Sequence, residues 1–314
     1  MTEPLHVIIV GAGIGGLCLA QGLRRAGVSV AVYERDRSRT DRLEGYRIHI
    51  NPAGSRALKG CLPPPVWDSF VASAGEPGGI GYLTEQMKEL VVINGEPAAD
   101  PAQGSHAVDR ITLRHLLLSG LEDTVHFGKT FTHYEQHGSK VTAFFADGSC
   151  ATGDLLVGAD GAGSSVRRQF LPHAGRVATE ATGTALRLPL TEQTRSWVPP
   201  RLATSMNMIV APDPFFLFTS VFERRSGADT LGHGDTGRQY QTYILCAFVA
   251  HRSAYPRDVH DLDRRCLQHV VEAMTVGWHP DLRRVLAESD PDSVMLVQHQ
   301  ASVPVPAWQS TNVT

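Results

Sequence analysis

The chain has 314 residues, of which 42% are hydrophobic and 19% are charged, and its formal net charge is −3. These proportions are typical of a folded enzyme with two closely packed domains, and they exclude a disordered chain. The small negative charge gives no electrostatic reason to expect nucleic acid or an anionic membrane as a partner. No apolar stretch reaches the roughly eighteen residues of a membrane span.

The cysteines indicate no metal or disulfide chemistry. They are odd in number and scattered, with no CxxC spacing or Cys/His cluster: Cys18, Cys61, Cys150, Cys246 and Cys266. This pattern argues against zinc, iron–sulfur and redox-disulfide sites. We therefore expect buried free thiols in a protein of the reducing cytoplasm, and no bound metal.

The first motif is a glycine turn that directly follows the apolar run of residues 6–10. A second apolar run, residues 28–33, ends on Glu34. The order strand, glycine turn, helix, strand and acidic residue predicts a dinucleotide-binding βαβ unit. The alternative is an ordinary strand-to-helix turn without a ligand. The candidate binding residues of the turn are Gly11, Gly13, Ile14, Gly15 and Gly16.

Each part of this unit has a physical task. Gly11 permits a tight turn, Gly13 allows close approach of a pyrophosphate, and Gly16 allows the helix to pack closely on the strand. The helix N-terminus offers unpaired N–H groups and a positive dipole end to phosphates. Glu34 is predicted to accept a hydrogen bond from a ribose hydroxyl. The motif alone leaves open which dinucleotide binds.

A second motif lies in residues 153–167, where the short apolar strand Leu155–Val157 precedes an Asp160-Gly161 turn and Ser164 stands at the start of a helix. Taken alone, this could be a plain serine-capped turn. Together with the glycine turn, it resembles the Asp-Gly motif of flavoprotein monooxygenases of the p-hydroxybenzoate hydroxylase type. The resemblance implies FAD as the bound cofactor, with Asp160 and Gly161 near its pyrophosphate and ribityl chain. It also implies NAD(P)H as a transient reductant.

Two arginines are further candidates for cofactor binding. Residues 108–117 have apolar positions at helical spacing, with Arg110 near the start. The resemblance places Arg110 on the FAD phosphates and ribityl chain, where a planar guanidinium suits phosphate oxygens. The alternative is a solvated arginine at a helix end. Arg35, next to Glu34, is a similar candidate near the adenosine.

The resemblance implies an α/β fold, with a Rossmann-like (GR2-type) FAD-binding domain and a mixed β-sheet-plus-helix substrate domain. We expect the first domain in residues 1–175, with an excursion near 63–105, and the second in residues 176–298. Residues 299–314 then form a return segment towards a C-terminal Gly-Asp motif of the family. That motif does not occur in these 314 residues, so the chain is expected to be a shortened form.

Three segments of the second domain have clear patterns. Residues 215–222 and 240–249 predict long strands, joined through the glycine-rich stretch at residues 232–237. Residues 259–276 predict one helix. Its expected buried stripe consists of Leu262, Cys266, Val270 and Ala273.

The resemblance implies an FAD-dependent hydroxylase of secondary metabolism. NAD(P)H reduces FAD, O₂ adds at C4a of the reduced flavin, and the hydroperoxide hydroxylates an aromatic or polyketide-like small molecule. Because the cofactor carries the chemistry, no catalytic side chain is assigned. Arg47 and His49 are weak candidates on a strand leading towards the isoalloxazine side, against a reading as ordinary strand residues.

Other functions of the same fold remain as alternatives. These are a flavin-dependent epoxidase, a reductase, or a shortened flavoprotein-like binding protein without catalysis. A halogenase is disfavoured because no Trp-x-Trp run occurs: Trp67, Trp197, Trp278 and Trp308 are isolated.

Overall fold

The structure is a computed structural model. It describes residues 4–39, 47–75, 78–93, 98–212, 214–222, 242–309 and 311–314. The strands are β1 (His6–Val10), β2 (Ser29–Tyr33), β3 (Arg47–Ile50), β4 (Ile80–Thr84), β5 (Glu89–Ile93), β6 (His106–Asp109), β7 (Val125–His126), β8 (Phe131–His137), β9 (Lys140–Phe145), β10 (Cys150–Gly153), β11 (Leu155–Gly158), β12 (Arg176–Pro189), β13 (Met206–Val210), β14 (Phe215–Phe222), β15 (Tyr243–His251) and β16 (Met295–Ser302). The helices are α1 (Ile14–Arg25), α2 (Pro52–Cys61), α3 (Pro64–Ser73), α4 (Arg110–Leu118), α5 (Ser165–Phe170), α6 (Glu192–Arg195), α7 (Pro200–Thr204), α8 (Arg264–Met274) and α9 (Pro280–Ala287).

A four-stranded parallel sheet forms the first layer, in the order β11-β1-β2-β7. Strand β1 is apolar on both faces because each face is covered, as in other parallel sheets. Ile9 packs with Leu17 of helix α1, whereas Ile8 packs on the other side against the antiparallel sheet of β8, β9 and β10. The predicted α/β, Rossmann-like fold is confirmed.

Helix α4 is placed by its capping residue. Strand β6 ends at Asp109, whose side chain accepts hydrogen bonds from the N–H groups of Ile111 and Thr112. An N-terminal cap of this kind satisfies N–H groups that the first turn leaves unpaired. Arg110 is therefore fixed as the first residue of the helix, in agreement with the sequence pattern.

A seven-stranded sheet forms the second large layer, in the order β16-β12-β15-β14-β13-β4-β5. Strands β4 and β5 lie within the predicted excursion at residues 63–105, and β4 joins the sheet by parallel pairing with β13. The predicted boundary at residue 298 falls inside strand β16. The division of the chain at residues 175 and 298 stays a prediction.

The two faces of this sheet differ. Helices α8 and α9 cover the first face, whose side chains Leu217, Ile244, Cys246 and Phe248 are fully buried with Leu282 and Val285 of α9. We call the opposite side the second face and define it by residues that are only half-buried and belong to no core cluster: Met208, Phe216, Phe218, Leu245 and Ala247. Met208, Phe218 and Ala247 are direct neighbours on three adjacent strands.

The predicted helix at residues 259–276 is wrong in its start and in its buried stripe. A short 3-10 turn occupies Val259–Asp261, and α8 begins only after Asp263, whose side chain accepts the N–H of Cys266. This cap sets the start of the helix at Arg264. The buried positions are Leu267, Gln268 and Val271, while two residues of the predicted stripe, Cys266 and Ala273, are exposed.

Two other expectations are partly corrected. The predicted strand at 240–249 is described from Tyr243 and continues to His251, while residues 223–241, with the glycine-rich stretch, lie outside the described residues. All five cysteines are free, but only Cys246 is buried, and Cys150 and Cys266 are exposed. Cys150 and Cys266 lie on solvent-exposed faces of strand β10 and helix α8. Cys is buried as a small apolar residue only where other elements cover its face.

Residues near the end of the chain return to the parallel sheet. Val313 forms a parallel bridge with Leu156 of β11 and is buried against Ile8 and Val10. Within the described ranges, none of the helices is long and apolar enough to cross a membrane. The same ranges contain no group of three His, Cys, Asp or Glu side chains that could hold a metal ion.

The unequal faces of the seven-stranded sheet lead to a stability prediction. Phe248→Ala removes a fully buried side chain, so it should lower the free energy of unfolding by about 3–5 kcal/mol. Phe218→Ala on the half-buried second face should cost only about 1 kcal/mol. Urea unfolding followed by circular dichroism measures both values. Equal losses would contradict the assignment of the two faces.

Candidate active site: a cavity at the carboxyl ends of the parallel strands

A cavity of about 830 Å³ lies where β1, β2 and β11 end. Ligands bind at this edge of open parallel sheets because the loops and helix N-termini converge there. Seven of the ten residues predicted from sequence for the cofactor line it: Gly11, Gly13, Glu34, Arg35, Arg110, Asp160 and Gly161. The other three, Ile14, Gly15 and Gly16, form the first turn of helix α1 and do not line the cavity.

The glycine turn and the Asp-Gly turn are in direct contact. Gly11 has a φ of +108°, and a Cβ atom there would lie 2.5 Å from the carbonyl oxygen of Ala159. A Cβ on Gly16 would lie 2.0 Å from the carbonyl oxygen of Gly11. The backbone of three segments therefore meets at distances that only glycine permits. By contrast, a Cβ on Gly13 or Gly15 would meet no heavy atom within 4 Å beyond the adjoining residues and its own helix.

Glu34 holds the glycine turn against the end of strand β2. One carboxylate oxygen accepts the N–H of Ala12 at 2.6 Å and the other accepts the N–H of Asp36 at 2.9 Å. The residue is buried and lines the cavity. A carboxylate has about four acceptor positions, so Glu34 keeps capacity for hydroxyl donors in the cavity.

Asp160 has one satisfied and one unsatisfied carboxylate oxygen. Its Oδ2 accepts the N–H of Ser165 at 2.6 Å, at the start of helix α5. Its Oδ1 is buried and has no hydrogen-bond partner among the described residues. Burial of an acceptor without a donor is costly. Since Asp160 lines the cavity, a hydroxyl group of a bound ligand would complete its hydrogen bonds.

The cavity is electropositive. Its lining contains three carboxylates, those of Glu34, Asp36 and Asp160, and five cationic side chains, which leaves an excess of two positive charges: Arg35, Arg110, Arg114, Lys129 and Arg168. Some of these charges are paired within the lining or beside it. Lys129, for example, forms an ion pair with Asp147 at 2.6 Å. The excess favours an anionic ligand.

Arg114 is a site residue that the sequence argument missed. Its Nε donates to the carbonyl oxygen of Ala12 at 3.1 Å, and its guanidinium lies 3.5 Å from the carboxylate of Asp36. It therefore ties helix α4 to the glycine turn. A usable signal was present in the sequence, because Arg114 lies four positions after Arg110 and so shares a helix face with it.

The weak catalytic candidates Arg47 and His49 lie on strand β3, outside the lining of the cavity. Arg47 is buried, and its backbone N–H donates to the hydroxyl of Tyr243 at 3.2 Å. Burial lowers the pKa of Arg47 to about 10. Burial, and then the nearby charges of Arg47 and His106, lower the pKa of His49. A catalytic role for either residue stays a prediction.

Comparison with known proteins gives the family. Residues 4–277 match the FAD binding domain family, so the chain belongs to this family. The resemblance drawn from the glycine and Asp-Gly motifs is thereby confirmed. The chain is 31% identical to a protein of Photorhabdus luminescens subsp. laumondii described as an FAD-containing monooxygenase. The crystal structure of that protein superposes with a TM-score of 0.86, covering 98% of this chain and 79% of the other.

Two further relatives carry the name FAD-dependent monooxygenase. The chain is 28% identical to the dual O-methyltransferase/FAD-dependent monooxygenase elcB of Phaeosphaeria nodorum, over 99% of this chain and 37% of elcB. It is 32% identical to a protein of Arthroderma benhamiae described as an FAD-dependent monooxygenase, over 88% of this chain and 65% of that protein. The chain thus spans less than two thirds of the length of these two relatives.

The close contact at the glycine turn can be tested without a ligand. Gly16→Ala should destabilise the fold by about 2–4 kcal/mol, because the new methyl group must displace the backbone of the glycine turn at Gly11. Gly15→Ala should be neutral or slightly stabilising, since the site is open and alanine is the better helix former. Thermal unfolding of both variants provides the comparison. Equal melting temperatures would show that the contact is not made.

Proposed function

We propose that this chain forms the cofactor- and substrate-binding part of an NAD(P)H-dependent FAD monooxygenase that hydroxylates an aromatic or polyketide-like small molecule with O₂. The observation that supports it most directly is the electropositive cavity in which the glycine turn meets the Asp-Gly turn. Family membership supports FAD as the ligand. NAD(P)H, O₂ and the substrate class follow from the family resemblance.

The lining residues fit the parts of FAD. The pyrophosphate would lie at Gly13, where the N-terminus of α1 and the absence of a Cβ leave donors and space. Glu34 would accept hydrogen bonds from the adenosine ribose, with Arg35 beside it. The buried, unsatisfied Oδ1 of Asp160 would accept a hydroxyl of the ribityl chain.

Charge balance supports the same placement. The formal charge of the lining is positive even though Lys129 is paired with Asp147, and the pyrophosphate of FAD is an anion. Arg110 and Arg114 present guanidinium groups from one face of α4, and such groups donate in pairs to phosphate oxygens. Arg114 already holds the glycine turn through Ala12, so it would position the turn as well as add charge.

FAD bound in this cavity would supply the redox chemistry and the activation of O₂. The protein residues would orient the reactants and exclude water. The second face of the seven-stranded sheet provides half-buried apolar and aromatic surface of the kind that binds planar ligands: Met208, Phe216, Phe218, Leu245 and Ala247. We place the substrate on this face. No proton-transfer step is assigned to Arg47 or His49, because neither lines the cavity.

The relative elcB joins an FAD-dependent monooxygenase to an O-methyltransferase in one protein. Ring hydroxylation creates a phenolic oxygen, which is the group that an O-methyltransferase can modify. This chemical link favours aromatic hydroxylation over epoxidation or saturation as the reaction of the present chain.

Cofactor binding can be separated from folding at the glycine turn. Gly13→Ala should leave the melting temperature unchanged, because no protein atom lies within 4 Å of the added methyl group. It should nevertheless weaken FAD binding at least about tenfold, since the methyl group takes the place of the pyrophosphate. Gly15→Ala is the matched control, being equally open but outside the cavity lining. Unchanged FAD affinity in the Gly13→Ala variant would contradict the placement.

The reaction is tested with the FAD-loaded chain, NADH or NADPH, 1-naphthol and ¹⁸O₂. We expect oxidation of the nicotinamide to accompany one ¹⁸O atom in a dihydroxynaphthalene product, detected by mass spectrometry. Nicotinamide oxidation that releases only hydrogen peroxide with each of several phenols would favour a reductase. A labelled epoxide formed from an alkene would favour the epoxidase alternative.

A further inference from the structure

Four side chains meet where the seven-stranded sheet contacts strands β3 and β6. Tyr243 and Arg187 belong to the sheet, whereas Arg47 and Asp109 are paired opposite each other on β3 and β6. We call these four residues the junction cluster. Tyr243, Asp109 and Arg47 are only 5%, 6% and 8% exposed. Buried polar groups favour one arrangement of the sheet against β3 and β6, because any other arrangement would leave some of these groups without a hydrogen-bond partner.

Tyr243 connects the sheet to β3 by its hydroxyl. The backbone N–H of Arg47 donates to this oxygen at 3.2 Å, across 196 residues of sequence. The tyrosine ring is held from two sides, by the guanidinium of Arg187 at 5.2 Å and by the ring of Phe222 at 5.3 Å. The hydroxyl is therefore aimed by a fixed ring.

Asp109 connects the junction cluster to the cavity at the ends of the parallel strands. Its side chain caps helix α4 through the N–H groups of Ile111 and Thr112, and α4 carries Arg110 and Arg114 into the cavity. Burial raises the pKa of Asp109, while the two N–H groups and the charge of Arg187 favour its ionised form. Arg187 of the seven-stranded sheet thus stabilises the carboxylate that caps helix α4.

We propose that Tyr243 and Arg187 are positioning residues, through which the seven-stranded sheet sets the position of helix α4 and its two cavity arginines. The path runs from the Tyr243 hydroxyl to strand β3, across the Arg47–Asp109 pair to β6, and then through the Asp109 cap to α4. The inference rests on the proposed function only in that the arginines then contact FAD. The mechanical link is a property of the protein alone.

The chain contains a matched control for Tyr243. Tyr255 is equally buried, at 4% exposure, and its hydroxyl forms one hydrogen bond, 3.1 Å from the hydroxyl of Thr184. Thr184 lies on β12 like Arg187, but Tyr255 packs in the core beneath the first face. Tyr243→Phe and Tyr255→Phe therefore remove comparable hydroxyl groups at opposite sides of one sheet.

The first readout is amide hydrogen exchange of the chain without ligand. Tyr243→Phe should speed exchange at Ile111 and Thr112 about fivefold, the equivalent of one lost hydrogen bond. Tyr255→Phe should leave these two amides unchanged even if it lowers the melting temperature as much. The second readout is FAD affinity by flavin fluorescence, which Tyr243→Phe should weaken about fivefold and Tyr255→Phe should not.

The outcomes separate the two proposals. Faster exchange in α4 of the Tyr243→Phe variant supports the positioning role, even if the wild-type chain fails to bind FAD and the proposed function falls. Equal exchange in α4 for the two variants overturns the positioning role, whatever the FAD affinity. Arg187→Lys is a second variant with a retained charge. It should also speed exchange at Ile111 and Thr112, and unchanged exchange there would count against the proposal.

Discussion

The close contact of three backbone segments is the constraint on which the site depends. Gly16 in the first turn of α1 lies on the carbonyl of Gly11, and Gly11 lies on the carbonyl of Ala159, with no room for a side chain at either contact. This contact directs the N-terminus of α1 into the cavity, and it brings Asp160 directly beside Gly11 in the lining. Glu34 fixes the remaining side by accepting the N–H of Ala12. The backbone geometry proposed to bind phosphate thus follows from packing alone, before charge is considered.

The two sheets differ in character, and among the described residues buried polar contacts join the seven-stranded sheet to strands β3 and β6. The parallel sheet ends at the cavity proposed to bind the cofactor, while the seven-stranded sheet provides a half-buried apolar face. An oxygenating flavin enzyme needs its cofactor and substrate at a fixed distance, since reacting groups must be held in line. The hydrogen bond from Arg47 to Tyr243 and the Asp109 cap are placed where they could set that distance.

The sequence predicted correctly the turns and helix starts that depend on neighbouring residues. The glycine turn, the Asp-Gly turn and the start of α4 at Arg110 depend on neighbouring residues, so the sequence was sufficient for them. Contacts between distant segments were missed. Arg114 meets Ala12 across 102 residues. Its spacing from Arg110 indicates a shared helix face, but nothing in either segment marks the contact with Ala12. The start of α8 was wrong because the Asp263 cap places it at Arg264, and the buried stripe was wrong because the helix packs through Leu267 and Val271. The addition of β4 and β5 to the second sheet likewise depends on long-range pairing.

The central claim is that the cavity between the glycine turn and the Asp-Gly turn binds FAD. Titration of the 314-residue chain with FAD, followed by quenching of flavin fluorescence and with folding checked by circular dichroism, tests it most directly. We predict saturation at one FAD per chain and competition by ADP, which shares the adenosine and pyrophosphate groups. A folded chain that shows no saturable quenching, or saturation that ADP does not affect, would contradict the claim.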